Sequence, residues 1–126
     1  MSEKSIAEKL QVKGTRRLAV VDPPSGLDAI VGAMQARAPI ENADVVLLFV
    51  ADRADLSRSL TANLPAIAAE AIIWIAYPRL SSKLAADLSR DVIHALAPSY
   101  GLDAVAQIAV DADRSALRFK RTAPRA

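Results

Sequence analysis

The sequence predicts an α/β fold in three layers: a mostly parallel sheet of about five strands, ending in an antiparallel hairpin, with helices packed on its faces. Three observations predict it. Residues 18–21, 45–50 and 71–76 are short, wholly apolar runs rich in β-branched and aromatic types, the pattern of strands buried on both faces rather than one. Each run gives way to a polar or proline-containing loop and then to apolar residues at helical spacing, the order of strand-helix crossovers. The final third of the chain is different, because residues 104–110 and 115–120 read as strands joined only by Asp111-Ala112-Asp113-Arg114. That link is too short for a crossover, so these two strands must run antiparallel.

A chain of 126 residues with 52% hydrophobic content fits one domain with a single core. The absence of cysteine excludes disulfides, thiolate metal sites and cysteine nucleophiles, and agrees with a reducing compartment. The first residues form no signal-peptide core, and no apolar run approaches the ~20 residues of a membrane span. The expectation is a soluble, cytoplasmic protein. Net charge is +2, and the pI near 9.2 reflects basic residues gathered toward the ends, including Arg118, Lys120, Arg121 and Arg125. Because these alternate with apolar residues, they read as the solvated side of a strand, and neither a nucleic acid nor a membrane is an expected partner.

Residues 1–15 form an arm or a short helix, with Ile6, Ala7 and Leu10 at helical spacing and Gly14 as a stop. The domain itself occupies residues 16–121, and residues 122–126 should fray. The first strand ends at Asp22-Pro23-Pro24-Ser25-Gly26, since consecutive prolines cannot continue a ladder. Ser25 with Asp28 resembles a weak capping box, and Leu27, Ile30, Val31 and Met34 mark a helix running toward Ala38-Pro39. After the second strand, Asp52 and Asp55 suit the positive start of a helix whose stripe is Leu56, Leu60, Leu64 and Ile67. Pro65 should end it in a kink or a fresh short turn. After the third strand, Leu84, Leu88, Val92, Ala95 and Leu96 predict a helix that begins just beyond Lys83 and ends near Gly101, which suits a left-handed cap.

Topology narrows the site. If every right-handed crossover stepped the sheet one way, the helices would crowd one face and leave the other bare. The uninterrupted apolar strands argue against a bare face. Either the first crossover steps the opposite way through a short extra strand near Ile40-Glu41-Asn42, or the N-terminal arm or a second subunit covers that face. The first option makes a switch point, where ligands bind beyond the carboxyl ends of the strands. The candidate ligand residues are therefore Asp22, Ser25, Gly26, Tyr77, Ser82 and Lys83. Lys83 and the serines would hold an anion at a helix start, while Asp22 could act as a general base, accept from a ribose or simply begin the Pro-Pro turn.

No catalytic motif is present. His94, the one histidine, lacks an accompanying nucleophile and reads as a surface position. Asp87 and Asp91 sit four apart and read as a helix cap or as partners of Lys83 or Arg90 rather than metal ligands. Trp74, in mid-strand, reads as core. No metal and no cofactor are assigned.

The stretches Trp74-Ile75-Ala76-Tyr77-Pro78-Arg79-Leu80-Ser81-Ser82-Lys83, Asp87-Leu88-Ser89-Arg90-Asp91-Val92-Ile93 and Asp111-Ala112-Asp113-Arg114-Ser115-Ala116-Leu117-Arg118-Phe119 resemble the small bacterial proteins grouped as domain of unknown function 3052. Where that family often has Trp in the hairpin turn, this chain has Arg114. The layout also resembles a shortened S-adenosylmethionine methyltransferase of Rossmann-like architecture. That likeness implies a glycine-rich loop after the first strand and an acidic residue closing the second. This chain has Asp-Pro-Pro-Ser-Gly in the first place and, near Ile40-Glu41-Asn42, almost nothing of the strand that comes second in that fold, so it is not expected to hold the methyl donor. With few paired acid and base groups and a surplus of apolar strand surface, the expected function is a non-catalytic interaction module, forming a homodimer or binding a protein partner. The alternative is a nucleotide-like or otherwise anionic small molecule bound at the carboxyl edge.

Overall fold

A computed structural model describes residues 5–122. The predicted fraying of the tail lies, beyond Thr122, outside those residues. The chain opens with the short helix α1 (Ile6–Lys9), whose capping box is reciprocal: Glu8 N–H donates to Ser5 Oγ, and Ser5 N–H to Glu8 Oε1. The strands are β1 (Leu18–Val21), β2 (Val45–Phe49), β3 (Ile72–Pro78), β4 (Leu102–Ala109) and β5 (Arg114–Arg121). Between them lie helices α2 (Leu27–Val31), α3 (Arg53–Asn63) and α4 (Arg90–Leu96).

Sheet order is β1-β2-β3-β5-β4. The β1–β2 and β2–β3 ladders are parallel, and the β3–β5 and β4–β5 ladders antiparallel, so the sheet is mixed where a mostly parallel one was expected. The cause is the placement of the hairpin. Its returning strand β5, not β4, inserts beside β3, which adds two antiparallel ladders and leaves β4 at the edge.

Each face of this sheet has its own core. On one, Val46, Leu48, Ile73, Ile75, Leu117 and Phe119 pack against Leu56 and Leu60 of α3 and Ile93 of α4. On the other, Val45, Leu47, Trp74 and Ala116 pack against Leu27 and Val31 of α2 and against Leu10, just past α1. Both sides of the central strands are buried, which explains why their sequences do not alternate. Trp74 is core, as expected, and its indole N–H donates to Leu10 O at 3.1 Å, tying the arm to the sheet. The basic residues of β5 behave as read from sequence: Leu117 and Phe119 are buried, while Arg118 is half-buried and Lys120 exposed.

How α2 and α3 reach opposite faces is settled by the chain between β1 and β2. After α2 the backbone returns on the outer side of β1, where Arg37 makes a single parallel bridge to Leu18 and Ala38 N–H donates to Leu18 O. It then passes through a 3-10 turn, Ile40–Asn42, across the α3 face and enters β2. The crossover is thus two steps of one hand, outward and back. The extra strand expected near Ile40 is only this bridge at Arg37, because Pro39 removes the next N–H donor. Arg37 also ends α2, donating to Asp28 Oδ1 at 2.8 Å and to the carbonyls of Asp28 and Gly32.

Three local expectations fail for identifiable reasons. Helix α2 stops at Val31, since Gly32 (φ 76°) and Ala33 (φ 55°) turn left-handed, and Ile30 and Met34 are left exposed. Its N-cap is Gly26 rather than Ser25, and Asp28 serves Arg37 instead of a capping box. No helix begins beyond Lys83; α4 starts only at Arg90, capped by Ser89 Oγ accepting from Val92 N–H. In the intervening turns Ser82 Oγ accepts from Leu84 N–H, and Asp87 accepts from Arg53 N–H across the gap to α3. Such side-chain bonds to backbone compete directly with helix formation. The Pro65 turn (Leu64–Ala66), the Asp52 cap of α3 and left-handed Gly101 all occur as expected.

Candidate functional site

The switch point lies at β1, from which the chain steps outward to Arg37 and back to β2. Beyond the carboxyl ends of β1 and β2, a small cleft of about 80 Å³ opens, lined by Asp22, Pro24, Phe49, Val50, Ala51, Asp55, Pro78 and Arg114. This is the location that open α/β sheets reserve for ligands, although the enclosed volume is well below the roughly 300–1,000 Å³ typical of small-molecule sites, so most of a ligand would lie over the cleft rather than inside it.

Asp22 stands at the mouth. Its backbone is left-handed, φ 53°, at the point where β1 ends and the two prolines begin. An L-residue other than Asn or Asp would be strained there. Its side chain is 55% exposed, with Arg58 Nη2 3.7 Å away, a contact too long for a strong ion pair. Asp55, in contrast, is fully engaged: it accepts from Ala51 N–H at 2.9 Å and forms an ion pair with Arg58. The hydrogen bond and charge of Asp55 hold the Arg58 guanidinium above its ordinary value. Asp22 is therefore the carboxylate of the cleft that remains open to a ligand.

Of the six residues expected from sequence, only Asp22 lines this cleft. Ser25 and Gly26 are exposed on the turn behind it. Tyr77 is buried on the α3 and α4 face and borders a second, more open groove of about 260 Å³ with Arg79, Ser89, Arg90, Asp91 and Gln107. Burial raises the Tyr77 hydroxyl above its ordinary value, a shift opposed by the charge of Arg90 and a hydrogen bond with Ser115. Ser82 donates to Asp113 Oδ1 at 2.8 Å, and Lys83 is exposed with no helix start behind it.

The loop 79–83 has instead a structural task. Arg79 N–H donates to Asp113 O at 2.8 Å, while its guanidinium donates to the carbonyls of Asp111 and Ala112. Together with Ser82 it clamps the β4–β5 turn, and that turn delivers Arg114 to the cleft. Sequence reasoning passes over Arg114 as a site residue and reads Asp55 only as a helix cap. No local motif marks Arg114, since it reaches the cleft only through the placement of β5 beside β3. His94 is exposed on α4, and among the described residues no cluster of acidic or histidine side chains could hold a metal. No helix among the described residues is long and apolar enough to cross a membrane.

No family model matches the chain, and no curated protein matches it. Solved structures do share its fold. A protein from Sulfolobus solfataricus assigned as a type 11 methyltransferase is similar with a TM-score of 0.57 at 11% identity, over 95% of this chain and 91% of that one. The mitomycin 7-O-methyltransferase MmcR gives 0.56 at 13%, over 94% of this chain and 54% of its own. LepI, in a structure with SAM, gives 0.52 at 18%, over 93% of this chain. The chain spans 39% of the length of LepI.

These likenesses overturn the expectation of a non-catalytic interaction module. Its motive was a shortage of paired acid and base groups beside a surplus of apolar strand surface needing cover, and that surface is covered within the chain by α1 and α2 on one side and α3 and α4 on the other. Structures of this fold include methyltransferases, and this chain keeps a cleft at the edge where such folds carry ligands. By its five-stranded sheet, the hairpin that closes it and the residual strand at Arg37, the chain has a methyltransferase-like α/β fold.

Proposed function

We propose that this chain binds a small nucleoside-like molecule in the switch-point cleft, with Asp22 accepting hydrogen bonds from the ligand's hydroxyl or amino groups. The observation that carries the reading is the open carboxylate of Asp22, held in a left-handed conformation at the cleft mouth beside apolar walls from Pro24, Phe49 and Pro78. A charged acceptor aimed at ligand hydroxyls forms hydrogen bonds worth about 1.5–3 kcal/mol each.

LepI binds SAM, a nucleoside carrying an amino acid. The residues here suit the nucleoside part better than the whole. Pro23 and Pro24 have no N–H to offer, and Leu27 N–H already donates to Pro24 O, so the loop after β1 presents few donors to a carboxylate. The strand whose end would carry a second acceptor for the ribose is a single bridge, and the Arg37 guanidinium at that bridge is engaged by Asp28 and Gly32. No methyl-transfer step follows from these side chains.

The test is a thermal-shift and calorimetric panel of adenosine, S-adenosylmethionine and S-adenosylhomocysteine against the wild type and Asp22→Asn, which tolerates the left-handed backbone but loses the charge. Saturable stabilisation that Asp22→Asn abolishes is the expected result; a ligand at ~100-fold excess over its Kd adds ~2.7 kcal/mol. Binding that Asp22→Asn leaves unchanged, or no binding to the wild type, overturns the reading.

A further inference from the structure

The structural contact of the Arg114 side chain is a single ion pair within its own turn. The β4–β5 turn it belongs to is already held by Arg79 and Ser82, and by Asp111 Oδ1, which accepts from Asp113 N–H and Arg114 N–H, both at 2.8 Å. The Arg114 guanidinium adds one contact, Nη1 to Asp111 Oδ2 at 3.3 Å, long for a charge-assisted bond. Its side chain is only 17% exposed, yet it lines the cleft, so a cation with a fork of five N–H donors borders a largely desolvated wall of the site. Near-burial strengthens whatever it meets there.

We infer that Arg114 is the anion-recognising, specificity-determining residue of this cleft, and that the ligand is a nucleoside bearing a phosphate or carboxylate. This rests on the proposed function, since it concerns the same site. The geometry limits the ligand's shape. Arg114 opens β5 and Asp22 follows β1, three strand spacings apart, or about 14 Å between backbones. Both side chains turn into the one cleft between them, so a ligand that meets both carries hydrogen-bond donors toward Asp22 and negative charge toward Arg114. A bare anion would reach Arg114 alone, and an uncharged nucleoside would leave it unmet. Bidentate recognition of phosphate or carboxylate is the interaction the arginine fork forms and lysine does not.

The experiment titrates adenosine and adenosine 5′-monophosphate into the wild type, Arg114→Gln and Asp111→Asn. The wild type should bind the monophosphate at least tenfold more tightly than adenosine, and Arg114→Gln should collapse that ratio toward one. Asp111→Asn keeps the Oδ1 acceptor that holds the turn but removes the charge competing for Arg114, so it should raise the ratio several-fold. This second variant guards against Arg114→Gln merely loosening the hairpin. Equal wild-type affinities for the two ligands, or a ratio unmoved by either variant, overturn the inference while leaving the nucleoside site intact. Failure of both ligands to bind overturns the proposed function and this inference with it.

Discussion

At the scale of single residues, Asp22 carries a conflict between stability and binding. Its left-handed backbone costs an ordinary L-residue about 1–2 kcal/mol, less for Asp, whereas glycine adopts it freely. Asp22→Gly should therefore leave the unfolding midpoint equal to or above that of the wild type while abolishing ligand binding, read by denaturant titration and calorimetry on one sample. A drop of more than about 1 kcal/mol would mean that the carboxylate is chiefly structural. Tyr77 makes the other residue-level prediction. Burial raises its folded-state value above the ordinary 10.0, so the folded protein holds that proton more tightly than the unfolded chain does. The resulting stability is present below about pH 10 and is lost as pH rises through the folded value. Tyr77→Phe should flatten the decline of the denaturation midpoint between about pH 9 and 11, and an unchanged slope would contradict the assignment.

At the scale of elements, the strands are legible in the sequence and the segments between them are not. Val45 to Phe49 and Ile72 to Ala76 announce themselves because both faces of the central strands are buried, leaving no position where a polar residue would be tolerated. The stretch 80–88 misleads for the opposite reason. Leu84 and Leu88 share a helical spacing, yet Leu84 is exposed, Leu88 is buried, and Asp87 between them bonds to distant backbone in α3. Spacing cannot reveal a partner 34 residues away. The same holds for the site: Asp22 is visible as a strand end, whereas Arg114 enters the cleft only because β5 inserts beside β3, a pairing no local pattern encodes. Two measurements test the roles given to these elements. Ser89→Ala removes the α4 cap and should cost about 1 kcal/mol of stability. Arg79→Ala should release the β4–β5 turn, raising amide exchange at residues 111–114 well above that of the β3 core; protection equal to the wild type would show that the clamp is dispensable.

At the scale of the whole molecule, the sheet is a partition between two cores, and Trp74 joins one of them to the N-terminal arm. That construction covers the apolar strand surface from within the chain and leaves a cleft open at the carboxyl edge of β1 and β2. The central claim is that this edge, at the switch point between β1 and β2, is where a nucleoside-like ligand binds. A nuclear magnetic resonance titration of the ¹⁵N-labelled protein with adenosine 5′-monophosphate tests it most directly, because amide shifts locate the ligand without presuming its affinity or its chemistry. The account predicts saturating shifts concentrated at residues 22–26, 49–55 and 114. Shifts concentrated instead around Tyr77, Ser89 and Gln107, or none anywhere, would contradict it.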